Sequence, residues 1–186
     1  MTETTKGILA LLAACVVWGL SPLFYKALSD VAPLEVLAHR TLWSLVFFAL
    51  VLSLQRRLGA LWAAISDVAS LRVIAFAAVM ISVNWFLFIF SVQVGRTTEA
   101  SMGYYIFPLV AVLLGRIVLG EQLSRAQWSA IVLAAVAVIS LTVGLHIVPW
   151  ISLMLATTFG IYGLIKKRLD LGPGVSVTAE VMILSP

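Results

Sequence analysis

Long apolar runs, separated by short charged connectors, repeat along the whole chain. The first run, from Gly7 to Tyr25, contains no charged residue. About 19 residues in an α-helix extend about 28 Å, which matches the hydrocarbon core of a bilayer. Because lipid offers the backbone no hydrogen-bond partner, such runs cross the bilayer as helices. The pattern predicts an all-α integral membrane protein, a polytopic helix bundle.

Charges and turn residues divide the chain into spans. The stretch from Ala126 to Ile165 has no formal charge, and one helix of about 40 residues would be about 60 Å long, twice the core thickness. We place a turn at Gly144, His146 and Pro149, because Gly suits a helix end and Pro a helix start. The predicted spans cover residues 7–28, 34–54, 73–94, 99–119, 126–145 and 149–165, with a seventh from Gly174.

Basic residues in the short loops predict the orientation, because they favour the cytoplasmic side. With the N-terminus inside, that side receives Lys6, Arg56, Arg57, Arg72, Arg116, Arg125, Lys166, Lys167 and Arg168. The opposite side receives Lys26 and Arg96, with Arg40 just inside the second span. We therefore expect a cytoplasmic N-terminus and a cytoplasmic connector around Trp62 that forms a surface-lying turn.

Composition supports this class and excludes others. A mean hydropathy of +1.12, with 62% hydrophobic and 11% charged residues, excludes an ordinary soluble domain. The 12 Lys and Arg flank helices and form no stripe, so the net charge of +4 does not indicate a nucleic-acid partner. Cys15 is the single cysteine; it forms no intrachain disulfide and is expected to be a buried packing residue.

A weak internal repeat suggests two inverted halves. Chance matches among apolar segments are common, so the repeat is a hypothesis. It predicts a first five-helix repeat over residues 1–145 and the start of a second over 146–186. An odd number of helices reverses the second copy in the membrane, as in many secondary transporters. The matched residues are Ala14, Trp18, Gly19, Lys26 and Glu35 with Ala156, Tyr162, Gly163, Lys166 and Glu180.

Two prolines lie inside predicted spans. Pro22 cannot bond to the carbonyl of Trp18, and Pro108 leaves the carbonyl of Tyr104 free. Helix bending at a gated cavity and the ordinary irregularity of membrane helices are equally compatible with this pattern. The predicted hinge residues are Gly19, Pro22, Gly103 and Pro108.

Polar residues inside the spans are candidates for a substrate cavity. Arg40 is an intramembrane cation that contacts a polar or anionic group or extends to the outer headgroups. His39 is a pH sensor or a structural histidine, and Asn84 must bond to another helix or to the cavity. The predicted cavity residues are Trp18, His39, Arg40, Asn84, Trp85, Glu99, Tyr104 and Tyr105.

Catalytic constellations are not evident. His39 and His146 lie on separate segments, the serines lack a base in register, and the glycines form no phosphate-binding loop. We expect no enzyme activity, no metal and no cofactor.

Several clusters together resemble the RarD-like proteins of the EamA group, within the drug/metabolite transporter superfamily. The resemblance covers nearly the whole chain, in order. It rests on Trp18-Gly19-x-x-Pro22, Glu35-x-x-x-His39-Arg40, Asn84-Trp85, Glu99-Ala100-Ser101-x-Gly103-Tyr104, Pro108-Leu109, Gly120-Glu121, Trp128 and Tyr162-Gly163-x-x-Lys166-Lys167.

The resemblance implies ten helices in two inverted repeats around a central cavity, in a bacterial inner (plasma) membrane. It implies a permease or exporter of a small metabolite or drug, with a chloramphenicol association by name. Our hypothesis is an exporter that works by alternating access, with proton exchange as one coupling mode. The chain ends within the expected seventh helix, which suggests a fragment of a longer transporter. Self-association of unknown stoichiometry is compatible with this pattern.

Two alternatives remain. A small dimeric multidrug pump should carry a carboxylate in its first helix, and none lies between Gly7 and Tyr25. A non-transporting scaffold or accessory subunit would use Ala130 and Ala134 only for close helix packing.

Overall fold

The computed structural model describes residues 2–145 and 149–185. Within these ranges the chain forms eight α-helices and no strand. The helices are α1 (Glu3–Ala27), α2 (Pro33–Leu54), α3 (Leu58–Ser66), α4 (Val68–Gln93), α5 (Thr97–Leu119), α6 (Arg125–Leu145), α7 (Trp150–Arg168) and α8 (Pro173–Leu184).

Five of these helices, α1, α2, α4, α5 and α6, are long and apolar enough to cross a membrane. The prediction of a polytopic helix bundle is thereby confirmed. The predicted sixth span is the 19-residue helix α7, which continues to Arg168 and ends in three basic residues. Helix α8 is apolar and has 12 residues.

The helix ends refine the sequence prediction. Asp67 accepts a hydrogen bond from the backbone N–H of Ser70 at 2.8 Å, so α4 begins at Val68 instead of residue 73. The connector around Trp62 is the nine-residue helix α3. In the predicted turn between α6 and α7, Pro149 precedes the first residue of α7, whereas His146 lies outside the described residues.

Helix α4 is central to the bundle and packs against α1, α2, α5, α7 and α8. Its side chains Ile74, Ala77 and Ala78 are fully buried. In contrast, no residue in the apolar window of α1 or α6 is buried. Cys15 lies on α1 and is exposed, so the expected buried packing role is wrong. The exposed apolar face of α1 suits contact with lipid.

The turn between α1 and α2 is fixed by the C-terminal end of α4. The side-chain amide of Gln93 donates to the carbonyl oxygens of Leu28 at 2.8 Å and Val31 at 3.1 Å. Pro33 then begins α2, where its missing N–H costs no helical bond. These contacts hold the start of α2 beside the end of α1.

Candidate substrate cavity

A cavity of about 510 Å³ lies between α1, α2, α4 and α5. Its size falls in the range of about 300–1,000 Å³ that is usual for small-molecule sites. Gly19, Pro22 and Ser21 contribute to the α1 wall. Six aromatic residues line the cavity: Trp18, Tyr25, Trp85, Phe88, Tyr104 and Tyr105.

Arg40 supplies the charge of this cavity. Its Nη1 donates to the hydroxyl of Tyr25 at 2.8 Å, and its guanidinium carbon lies 4.2 Å from the ring centroid of Trp85. No carboxylate belongs to the described lining. Because a guanidinium has five N–H donors, these two contacts leave donors for a ligand. The cavity therefore combines aromatic walls with one half-buried cation.

Asn84 is fully buried and shapes the cavity from behind. Its side-chain NH₂ donates to the carbonyl of Leu155 at 2.9 Å and to the hydroxyl of Thr158 at 3.1 Å. Its carbonyl accepts the Tyr104 hydroxyl at 3.2 Å. The amide thus bonds to another helix, as expected from the sequence, and it orients the Tyr104 ring 6.1 Å from Trp18.

The backbone carbonyl of Trp18, which Pro22 leaves without a helical hydrogen bond, has a partner on the same helix. The hydroxyl of Ser21 donates to the carbonyl of Trp18 at 2.8 Å. Helix α1 continues through Pro22, and α5 continues through Pro108. A hinge role for Gly19, Pro22 and Pro108 stays a prediction.

Gly103 has a packing role that the sequence did not suggest. A Cβ at this position would lie 2.8 Å from Leu155 Cβ and 3.0 Å from the carbonyl of Ser152. Gly160 on α7 is equally tight, with Leu114 Cδ1 at 3.0 Å. The two glycines allow α5 and α7 to approach closely, as small residues do between membrane helices. A separate hinge role for Gly103 stays untested.

The described lining includes neither His39 nor Glu99, so their place in the substrate cavity stays a prediction. His39 is exposed and lines a neighbouring groove of about 570 Å³ with Glu35 and Trp43, and Arg40 lines both spaces. Adjacent residues of a helix point about 100° apart, so His39 does not share the cavity face of α2 with Arg40. Glu99 forms a bidentate pair with Arg96, at 2.5 Å and 3.0 Å, so its charge is neutralised beside the α5 start.

Sequence reasoning missed Tyr25, Ser21, Phe88 and Ser101. A signal existed on α1: Trp18, Pro22 and Tyr25 follow the i, i+4, i+7 spacing of one helix face. Phe88 follows Trp85 by three positions in the same way. Only the packing of four helices selects these faces from the many apolar faces of the chain.

Comparison with known proteins supports the resemblance. The model of the EamA-like transporter family matches residues 5–143. Protein RarD of Streptomyces exfoliatus is 46% identical over 98% of this chain and 58% of its own length. The uncharacterized transporter YojE of Bacillus subtilis is 39% identical, over 99% of this chain and 63% of its own. For protein RarD of Escherichia coli the identity is 37%, over 99% and 62%.

The chain thus spans about three fifths of these relatives, between 58% and 63% of their length. No solved structure matches it. The family match covers more than half of the chain, and the relatives align along nearly all of it. This chain belongs to the EamA-like transporter family.

Proposed function

We propose that this chain is part of a secondary transporter that moves a small amphipathic metabolite or drug across the membrane by alternating access. Family membership and five apolar helices support transport. The observation that carries the substrate class is Arg40, held against Trp85 in an aromatic cavity. The site resides in a bacterial inner membrane, with the N-terminus in the cytoplasm.

The ligand chemistry follows from the cavity walls. A carboxylate or another strong acceptor pairs with the guanidinium of Arg40, because a charge-assisted bond is strong where water is excluded. A flat apolar group packs against Trp18 and Tyr104, whose rings contact each other edge to face with 6.1 Å between centroids. The transported compound thus has an aromatic or apolar body and one acidic or acceptor-rich end.

Chloramphenicol is a useful probe of this class. A relative from Pseudomonas aeruginosa, 30% identical to this chain, is named chloramphenicol-sensitive protein RarD. Chloramphenicol is neutral and has an aromatic ring with polar groups, whereas benzoate has a ring and a carboxylate. Comparing these two compounds separates recognition of the ring from recognition of the charge.

The test uses the complete protein in liposomes, with binding followed by tryptophan fluorescence and transport by uptake of radiolabelled probe. We expect saturable benzoate binding that weakens at least tenfold in Arg40→Ala, since one charge-assisted bond contributes about 1.5–3 kcal/mol. Chloramphenicol binding should respond less to Arg40→Ala and more to Trp18→Ala.

His39→Gln is the matched control, because His39 adjoins Arg40 in sequence but lies outside the cavity lining. Its affinities and uptake should equal those of the unmodified protein. If both probes bind equally well with and without the Arg40 side chain, the substrate assignment fails. If no probe is bound or taken up, the scaffold alternative is favoured.

A further inference from the structure

A second polar cluster lies between α7 and α8, away from the cavity lining. Glu180 is 2% exposed and accepts hydrogen bonds from three side chains. Lys166 Nζ lies 2.7 Å and Ser176 Oγ 2.9 Å from Glu180 Oε1, and the Tyr162 hydroxyl lies 2.9 Å from Oε2. Lys166 also donates to Ser176. A carboxylate on an apolar helix is a candidate functional group, since its burial is costly.

The cluster occupies the position that Arg40 occupies in the first helix pair. Pro33 begins α2 and Pro173 begins α8, so Arg40 and Glu180 are each the eighth residue of their helix. This register differs from the sequence pairing of Glu180 with Glu35, because Glu35 is the third residue of α2.

The partners of these two residues match as well. Tyr25 lies two residues before the end of α1 at Ala27, and Lys166 lies two residues before the end of α7 at Arg168. Tyr25 bonds to Arg40, and Lys166 bonds to Glu180. Two helix pairs thus carry a polar contact at equivalent positions, with opposite charge on the second helix.

Among the charged groups near α8, only Lys166 pairs with the carboxylate of Glu180 in the described part of the chain. Helix α8 packs against α2, α3 and α4. The charged or titratable side chains of those helices are Glu35, His39, Arg40 and Arg72, and Arg57 precedes α3 beside Gly172. None of them hydrogen-bonds or ion-pairs with Glu180 in the described part of the chain. Tyr162 and Lys166 on α7 are therefore its titratable partners.

We propose that Glu180 is a proton-binding site in which an entering proton takes the place of the Lys166 ammonium. A proton from water binds to Glu180 Oε1, and Lys166 keeps its own proton and moves away. The charge of the cluster changes from zero to +1, and no covalent bond other than the new O–H forms. Coupling of this step to transport rests on the proposed function, whereas proton binding itself does not.

After the exchange, the protonated carboxyl group of Glu180 and the displaced ammonium of Lys166 each have polar partners within reach. The protonated carboxyl group can donate to Ser176 while still accepting from Tyr162. Lys166 is 22% exposed and is followed by Lys167 and Arg168, so its ammonium can extend to the headgroup region. If Lys166 and Glu180 formed only a structural ion pair, the Lys166 ammonium would not need a route to water.

Aromatic contacts connect the cluster to the cavity. The Tyr162 ring stacks on Phe159 with 6.1 Å between centroids. Phe159 in turn lies 5.9 Å from Tyr104 and 6.5 Å from Trp18, both of which line the cavity. Direct packing thus connects the Glu180 cluster to two rings that line the cavity.

The experiment is a pH titration of the complete protein in lipid, followed by infrared spectroscopy without any substrate. A protonated carboxyl group has a C=O stretching band that is separate from the bands of the ionised form. Other carboxyl groups also contribute as the pH falls, so the readout is the difference between proteins. We expect one component of this band to be present in the unmodified protein and absent from Glu180→Gln. In Glu180→Asp the band should remain at a shifted frequency, which guards against a general effect of the amide substitution.

Glu121→Gln is the matched control, because Glu121 pairs with Lys167 at 3.0 Å but is 49% exposed. This variant should retain the Glu180 band. The proposal is overturned if Glu180→Gln retains the same band, or if no band changes across the pH range in which near-ultraviolet circular dichroism reports a folded protein. A Glu180 band without probe uptake would instead contradict the proposed function alone.

Discussion

The Arg40 and Glu180 regions have the same architecture and opposite electrostatics. In each, a group near the end of one helix bonds to the eighth residue of the next. Arg40 has only neutral partners, a hydroxyl and an indole ring, and it lines an open cavity. Glu180 is closed in with a lysine that neutralises it. Within the described residues, the unpaired charge of Arg40 is available to a ligand, whereas the charge of Glu180 is already paired, so another cation binds there only by exchange with Lys166.

The largest expected effect comes from removing the partner on the closed side. Lys166→Met leaves Glu180 buried without its cation, which should lower the free energy of unfolding by about 3–5 kcal/mol while Glu180 stays ionised. Denaturant unfolding of the variant and of the unmodified protein in micelles measures this.

Arg40→Met provides the comparison for that result. Its partners Tyr25 and Trp85 are uncharged, so its loss leaves no buried charge and should lower the free energy of unfolding by less. If Lys166→Met and Arg40→Met lowered the free energy of unfolding equally, the distinction between the ion-paired Glu180 and the unpaired Arg40 would be wrong.

The second effect compares tight and open glycines. Gly103→Ala forces a contact that is 2.8 Å from Leu155 Cβ and should destabilise the protein by about 1–3 kcal/mol. Gly19→Ala meets no atom within 4 Å and should change stability by less than about 0.5 kcal/mol. Unfolding curves of both variants check the ranking, and a reversed order would contradict the packing role of Gly103.

The third effect concerns the amide behind the cavity. Asn84→Leu removes the bonds to Leu155 and Thr158 and releases the Tyr104 hydroxyl. Interhelical bonds of this kind contribute about 1 kcal/mol in membranes. We expect that loss in unfolding measurements, together with weaker binding of ring-containing probes. Normal probe affinity in Asn84→Leu would show that Tyr104 needs no such support.

The smallest effect should come from Ser21→Ala, which removes the hydrogen bond to the carbonyl of Trp18 between two residues that line the cavity. The site is partly exposed, so the stability change should stay within about 0.5 kcal/mol. Ser129→Ala on exposed α6 removes an equivalent hydroxyl-to-carbonyl bond and serves as the control. Only Ser21→Ala should alter probe affinity, and an effect of both variants on affinity would contradict a local role.

The sequence predicted the membrane class, most helix bounds and part of the cavity. Uncharged runs of bilayer length determine helices because an unpaired backbone cannot stay in lipid. Trp18, Arg40, Trp85 and Tyr104 were identified because polar or amphipathic side chains are conspicuous in apolar helices. His39 and Glu99 do not line this cavity, and their role there stays a prediction, because sequence proximity does not state which way a helical side chain points or which cation it meets.

The order of residues along the chain was enough to predict that helices form, where they turn and which rare polar groups each helix carries. The packing of the helices was needed to show that Tyr25 bonds to Arg40, that Asn84 bonds across to α7, and that Lys166 and Tyr162 surround Glu180. The two kinds of interaction act over different distances. Backbone hydrogen bonds and hydropathy act within one helix, whereas pairing of side chains depends on the rotation and approach of neighbouring helices.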